Sequence, residues 1–337
     1  MDTRALEDRA ERLAATAGLC GPFRLEPVPG GRNNRAFVVH AGNGRAFLKA
    51  YFRHPDDPRD RLRSETALLA HAEALGIKAV ARVLGTDEEA GLALFTFIQG
   101  RRLAPEELAR EHVAAAAALY LALNRRPADL PAASEACFSL GEHLACVERR
   151  VERLARAAAQ EQMRADSSAF VTGALLPAWE SLHGRILAAA PGLLGADWSA
   201  PLAQDLRRVS PSDFGFHNAL LTLEGKLVFL DFEYAGLDDP AKLVCDFFCQ
   251  PEVPVDRGHL PGFLADVWRA SPADAGLPAR ARLLLPAYGL KWCCIMLNDF
   301  LPLGAARRDY AEGGGAEARR DRQLAMARQA LAFHTKR

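Results

Sequence analysis

The chain has 337 residues, enough for two domains of ordinary size and a large core. Its 42 Lys and Arg balance 42 Asp and Glu, which excludes a net field that would draw in nucleic acid or an anionic membrane. No run approaches the roughly 18 apolar residues of a membrane span, and the polar start Met1-Asp2-Thr3-Arg4-Ala5 carries no signal segment.

The first hundred residues read as short strands: Phe23–Val28, Phe37–His40, Arg45–Phe52, Val80–Thr86 and Leu92–Ile98. Gly30-Gly31 and Gly42-Asn43-Gly44 punctuate them. One helical pattern interrupts, from about Arg59 to Leu75. The expectation is a small antiparallel sheet with a single helix. After Gly100 the apolar spacing turns helical, through about 105–123, 136–160, 168–190, 259–269, 278–300 and 316–333. The fold class is therefore α+β, with one lobe over 1–100 and a large, mainly helical one over 101–337. Gly313-Gly314-Gly315 reads as a joint before a last amphipathic helix, where runs such as Ala318-Arg319-Arg320-Asp321-Arg322 are solvated faces. Cys245, Cys249, Cys293 and Cys294 lack the C-x-x-C pairs of a zinc site. They read as buried reduced thiols, which fits a cytoplasmic setting.

Beyond Gly100 the clear β signal is a hairpin over 219–231, with apolar arms around Glu224-Gly225. A two-residue loop there pairs Leu223 with Lys226 and, further along, Asn218 with Asp231. Cross-strand partners share a face. Asp213 lies in the approach loop five residues before Asn218. Two carboxylates and an amide at a hairpin end can hold Mg²⁺ and orient a hydroxyl. Asn218 and Asp231 are the candidate Mg²⁺ ligands, and Asp213 the group that accepts a hydroxyl proton or orients the hydroxyl. Turn capping is the plain alternative for all three. Glu233 is a weaker auxiliary acid, and Asp239 before Pro240 reads as a helix cap.

The first lobe offers a second constellation. Pro29-Gly30-Gly31-Arg32-Asn33-Asn34 lies between strands, and Gly and Asn tolerate the backbone angles that present N–H groups to an anion. Strand alternation places Lys49 on one face with Phe47 and Tyr51, and Ala46, Leu48 and Ala50 on the other. Leu62, Glu65, Leu69 and Ala72 share a helix stripe, so Glu65 faces apolar surroundings and needs a partner. Lys49 is the candidate partner, since the helix follows its strand; a snorkelling edge-strand Lys is the plain alternative. A Lys fixed by a Glu beneath a Gly-rich turn is the arrangement that grips nucleotide phosphates.

In order and spacing this set resembles the aminoglycoside phosphotransferase family of the protein-kinase-like superfamily, which also includes choline, homoserine and methylthioribose kinases. The likeness covers about residues 22–250. It implies a bilobal kinase-like fold and transfer of phosphate from ATP or GTP, with Mg²⁺, to a hydroxyl of a small molecule. By resemblance Gly30, Gly31, Asn33 and Asn34 belong to the nucleotide loop. Phe95-Thr96-Phe97-Ile98-Gln99-Gly100 resembles the hinge whose backbone meets adenine. Lys49 and Glu65 serve the phosphates, Asp213 is the catalytic-loop Asp, and Asn218 and Asp231 are the metal ligands. Asp246 matches an Asp that braces the catalytic loop. One departure stands out: the family has His-Gly-Asp where this chain has Pro211-Ser212-Asp213. Proline lacks the hydrogen bond a brace needs; His217, four residues further on, reads either as its compensation or, more plainly, as a core histidine. Two rivals stay open, a kinase-like binding module without transfer activity and an AMP transferase on the same fold. The acceptor is not legible. A polycationic one would need acids such as Asp239, Glu252, Asp256 and Asp299 gathered around it.

Overall fold

The computed structural model describes residues 3–29, 34–312 and 316–335; Gly30, Gly31, Arg32, Asn33 and the Gly313-Gly314-Gly315 run lie outside the described residues. Helix α1 (Thr3–Thr16) precedes strands β1 (Arg24–Val28), β2 (Arg35–Ala41) and β3 (Gly44–Ala50). Helix α2 (Arg61–Ala74) then leads to β4 (Val83–Asp87) and β5 (Leu92–Thr96). The five strands form one antiparallel sheet in the order β1-β2-β3-β5-β4. Alternation in β3 sends Ala46, Leu48 and Ala50 into a cluster with Leu6, Ala10 and Ala14 of α1. Phe47 and Tyr51 point the other way, into the core that contains Leu62, Leu68 and Leu69 of α2. Asp60 caps α2 by accepting from the Arg63 N–H at 3.1 Å.

Among the described residues the lobe has two helices, where the sequence reading expects one. The stripe on α1 is built mostly of alanines, and its spacing is legible only once the sheet supplies a partner.

Strand β6 (Gly100–Arg101) carries the chain across to the second lobe. There follow α3 (Arg110–Leu123), α4 (Leu140–Ala159), α5 (Ala165–Phe170) and α6 (Leu176–Leu194), the last two joined by a π-helical turn over Val171–Leu175. Short strands come next: β7 (Arg208–Ser210), β8 (Ala219–Thr222), β9 (Leu227–Phe229) and β10 (Gly236–Asp238). The chain ends in α7 (Pro240–Cys249), α8 (Leu260–Arg269), α9 (Leu277–Met296), α10 (Pro302–Glu312) and α11 (Ala316–Thr335). Helix α9 is the axis of this lobe, with α4, α6, α7 and α11 packed on it. The thiols of Cys245 and Cys249 face it and donate to the Ala281 and Leu285 carbonyls at 3.4 Å each. Among the described residues no helix is long and apolar enough to cross a membrane.

The hairpin departs from the expected register. Ala219 pairs with Phe229 and Leu221 with Leu227, so Asn218 stands opposite Leu230, whose N–H it accepts at 2.8 Å. The loop has three residues, Leu223-Glu224-Gly225, because Gly225 takes a left-handed φ of 75° that inserts one residue into the turn. Asp231 is turned by its own left-handed backbone, φ 64°. A one-residue slip would have reversed its face; that local backbone turn returns it toward the inter-lobe cleft. Gly100 is fixed by close approach, since a Cβ there would sit 2.8 Å from the Leu221 carbonyl oxygen across the β6–β8 pairing.

Candidate active site

Lys49 stands in β3 opposite Ala93 of β5 and Ala36 of β2, with its side chain on the α2 face. Its Nζ donates to Glu65 Oε2 at 2.7 Å and to Asp231 Oδ1, and lies 3.6 Å from Glu233. Glu65 is further held by the Tyr51 hydroxyl at 2.6 Å and the Phe232 N–H at 3.2 Å. One carboxylate therefore ties together the sheet, α2 and the segment after β9. Burial alone would push the Lys49 ammonium down, but the carboxylates of Asp231 and Glu65 hold it well above its ordinary value.

Glu233 is fully buried and accepts from the Asn34 side-chain amide, with the Arg61 Nε 3.6 Å away. It is not among the residues that line the cavity of Asp213, Asn218 and Asp231, and reaches the site only through Lys49. Asn34 is committed twice, because its oxygen accepts the Phe52 N–H at 3.0 Å. Gly30, Gly31 and Asn33 lie outside the described residues.

Phe95 is buried opposite Phe47, and Thr96 exchanges hydrogen bonds with Arg82 at 2.9 and 3.0 Å. Both are thus part of the sheet. Phe97 sits beneath the Arg45 guanidinium, 4.3 Å from its ring centre, and opens a segment that belongs to neither β5 nor β6.

The loop over 211–218 is braced without the missing histidine. Ser212 adopts a left-handed φ of 65° and donates its hydroxyl to the Tyr234 carbonyl at 2.9 Å. Its N–H is caught by Ser210 Oγ at 3.1 Å. His217 Nε2 lies 3.2 Å from Asp213 Oδ1, and the Asn218 amide donates to the Asp213 carbonyl at 2.9 Å. Asp246 supports this loop through intermediaries. It accepts from Lys291 at 2.7 Å and from the Trp292 indole at 2.9 Å, and the Trp292 ring packs edge-on against His217. Asp239 caps α7 through the Ala241 N–H at 2.8 Å and also binds Arg280 and His143.

Asp213, Asn218 and Asp231 line one cavity of about 250 Å³. Arg59, Tyr234, Lys291 and Trp292 line it too, and sequence reasoning missed them. Their only signal was charge or aromaticity inside otherwise helical or loop segments.

A family model described as "Phosphotransferase enzyme family" matches residues 24–284. The chain belongs to this family. Comparison with curated proteins gives no significant match. Solved structures give the same fold over nearly the whole length. A choline/ethanolamine kinase family protein from Mesorhizobium loti aligns with TM-score 0.57 and 18% identity, covering 98% of this chain and 97% of that one. Choline kinase LicA from Streptococcus pneumoniae aligns at 0.56 and 15%, covering 98% and 100%. An ADP-bound aminoglycoside phosphotransferase, APH(2'')-Ib, aligns at 0.58 and 14%, covering 100% and 99%. The bilobal kinase-like fold is thereby shown, and the family match makes this chain one of the phosphotransferases.

The donor set of this phosphotransferase suits a hard divalent cation. Asn218 spends its amide nitrogen on the Asp213 carbonyl, which leaves its oxygen for other use, and Asp231 adds a carboxylate in the same cavity. Among the described residues no group of three or more His, Cys, Asp or Glu could hold a metal by itself. A cation bound by one amide and one carboxylate must draw its remaining ligands from water and phosphate, as Mg²⁺ does in nucleotide sites.

Proposed function

We propose that this chain is a kinase that moves the terminal phosphoryl group of ATP or GTP to a hydroxyl of a small molecule. The observation that carries the reading is the bridge from Lys49 to Glu65 on one side and Asp231 on the other, across the cleft that also holds Asp213 and Asn218. The nucleotide lies between residues 1–100 and residues 101–337. The turn around Gly30-Gly31 and the backbone of the 95–99 segment receive it. Lys49 contacts the phosphates, and Glu65 keeps the ammonium aimed. Asn218 and Asp231 hold Mg²⁺, which when bound neutralises charge on the β and γ phosphates. Asp213 orients the acceptor hydroxyl, with His217 and Asn218 fixing its carboxylate and backbone. Catalysis is then mainly positioning and charge neutralisation. A cytoplasmic setting, with nucleotide at hand and thiols reduced, suits this reading.

ADP release in the presence of Mg²⁺ tests it. Asp213→Ala should keep nucleotide binding and lose about 10²–10⁴ in turnover. Near-wild-type turnover in that variant removes Asp213 from the chemistry.

A further inference from the structure

Two adjacent arginines stand where the chain crosses between the lobes, and they are used differently. Arg101 in β6 is held by Glu107 through two guanidinium nitrogens, at 2.7 and 2.6 Å. Arg102 takes the opposite face, as alternation requires, and lines the cavity of Asp213, Asn218 and Asp231. The register explains its reach. Gly100 pairs with Thr222 and Arg101 with Leu221, so one further step sets Arg102 beside Leu220, two residues from Asn218. That is about 7 Å along the strand, within the span of an extended arginine side chain.

The other cations that line this cavity are engaged. Arg59 is bound to Asp57, Arg150 to Glu135, Lys242 to Asp238 and Lys291 to Asp246. Arg153 donates to Asn298 at 2.9 Å, and Arg308 has a partner as well. Among the described residues Arg102 accepts a bond from Arg101 at its carbonyl, at 3.3 Å, while its exposed guanidinium has no partner. Of the acids that a polycationic acceptor would need, Glu252 alone lines the cavity. Asp239 is bound to Arg280, Asp299 to Arg319, and Asp256 caps a turn. The nucleotide end of the site calls for a further cation. Lys49 is shared among Glu65, Asp231 and Glu233, and a single Mg²⁺ leaves a triphosphate still anionic. The phosphates that bridge such a cation lie beside its ligands, which is where the register puts Arg102.

We infer that Arg102 is a phosphate-binding residue: its guanidinium donates to oxygens of the nucleotide's phosphate chain, from the second lobe, as Lys49 does from the first. A guanidinium holds two such oxygens at once, which fixes direction as well as charge. Bound phosphates then join the two lobes through a pair of cations, one on β3 and one just past β6. This rests on the phosphotransfer reading above.

The test is a calorimetric titration of ATP and of adenosine, each with Mg²⁺, into the full chain as wild type, Arg102→Gln and Arg102→Lys. Arg102→Gln should bind ATP about tenfold more weakly, or worse, and adenosine as wild type does. Arg102→Lys should recover part of the loss, because it keeps the charge and gives up the paired geometry. Arg102 is exposed, so both variants should fold and melt as wild type does without ligand. A loss confined to ATP marks a bond to phosphate; a merely structural role would weaken both ligands. Unaltered ATP affinity in Arg102→Gln, or an equal loss for ATP and adenosine, overturns the inference while wild-type ATP binding leaves the kinase reading standing. Wild type that binds no ATP sinks the kinase reading, and this inference with it.

Discussion

Lys49 Nζ and Glu65 Oε2 lie 2.7 Å apart, with side chains only 9% and 5% exposed. The pair joins the sheet to α2 at the point where the second lobe brings in Asp231. Replacing Lys49 by Met leaves the carboxylate of Glu65 buried without its cation, and Glu233 loses a neighbour. Unfolding free energy should fall by about 3–5 kcal/mol, read by chemical denaturation, and nucleotide affinity should fall with it. Adding Glu65→Gln to that variant should recover much of the stability and none of the affinity. That split separates the pair's structural part from its part in binding.

The left-handed backbone at Ser212 makes a second prediction. A residue with a Cβ at such an angle carries about 1–2 kcal/mol of strain, partly offset by the bond from its hydroxyl to the Tyr234 carbonyl. Ser212→Gly relieves the strain and loses the bond, so stability should change by less than about 1 kcal/mol. Ser212→Val adds branching at the same angle and should cost about 2 kcal/mol or more. Denaturation midpoints of the two variants against wild type check this.

Gly100 makes a third. A methyl group there meets the Leu221 carbonyl oxygen at 2.8 Å, so Gly100→Ala must push β6 from β8. The expected cost is about 1–3 kcal/mol, with nucleotide affinity lowered as the 97–99 segment moves. Thermal unfolding and nucleotide titration read the two effects separately.

Asp239 is one of the carboxylates that contribute to acid stability. Burial would raise its carboxyl, but hydrogen bonds from His143 and Arg280 hold it well below the usual carboxylate range. A carboxyl depressed on folding stabilises above its unfolded value, about 3.9, and that contribution is lost as pH falls toward the folded value. The stability gap between wild type and Asp239→Asn should therefore be widest above about pH 5 and shrink steadily below about pH 4. Denaturant titrations from pH 6 to the acid limit would show a constant gap if the arrangement were wrong.

Much of this was legible in the residues. Alternation in one strand and a three-and-four spacing in one helix were enough to bring Lys49 to Glu65, because both patterns are local and a buried carboxylate requires a cation. The order of Asp213, Asn218 and Asp231 was legible from its spacing and from the family resemblance, not from strand register. The hairpin register was not, since a single left-handed residue, Gly225, decides between two- and three-residue loops. The three-residue strands β7 and β10 are too short to carry a period. The support of Asp213 by His217, Trp292 and Asp246 depends on α7 and α9 meeting, which nothing in either stretch announces.

The most direct test of the central claim is a calorimetric titration of ATP into wild type and Asp231→Asn, each with Mg²⁺ and with EDTA. If side chains of both lobes grip cation and triphosphate together, wild type should bind at least about tenfold more tightly with Mg²⁺ than with EDTA, and Asp231→Asn should lose most of that difference. Equal wild-type binding in the two buffers, or an unchanged Mg²⁺ effect in Asp231→Asn, would contradict it.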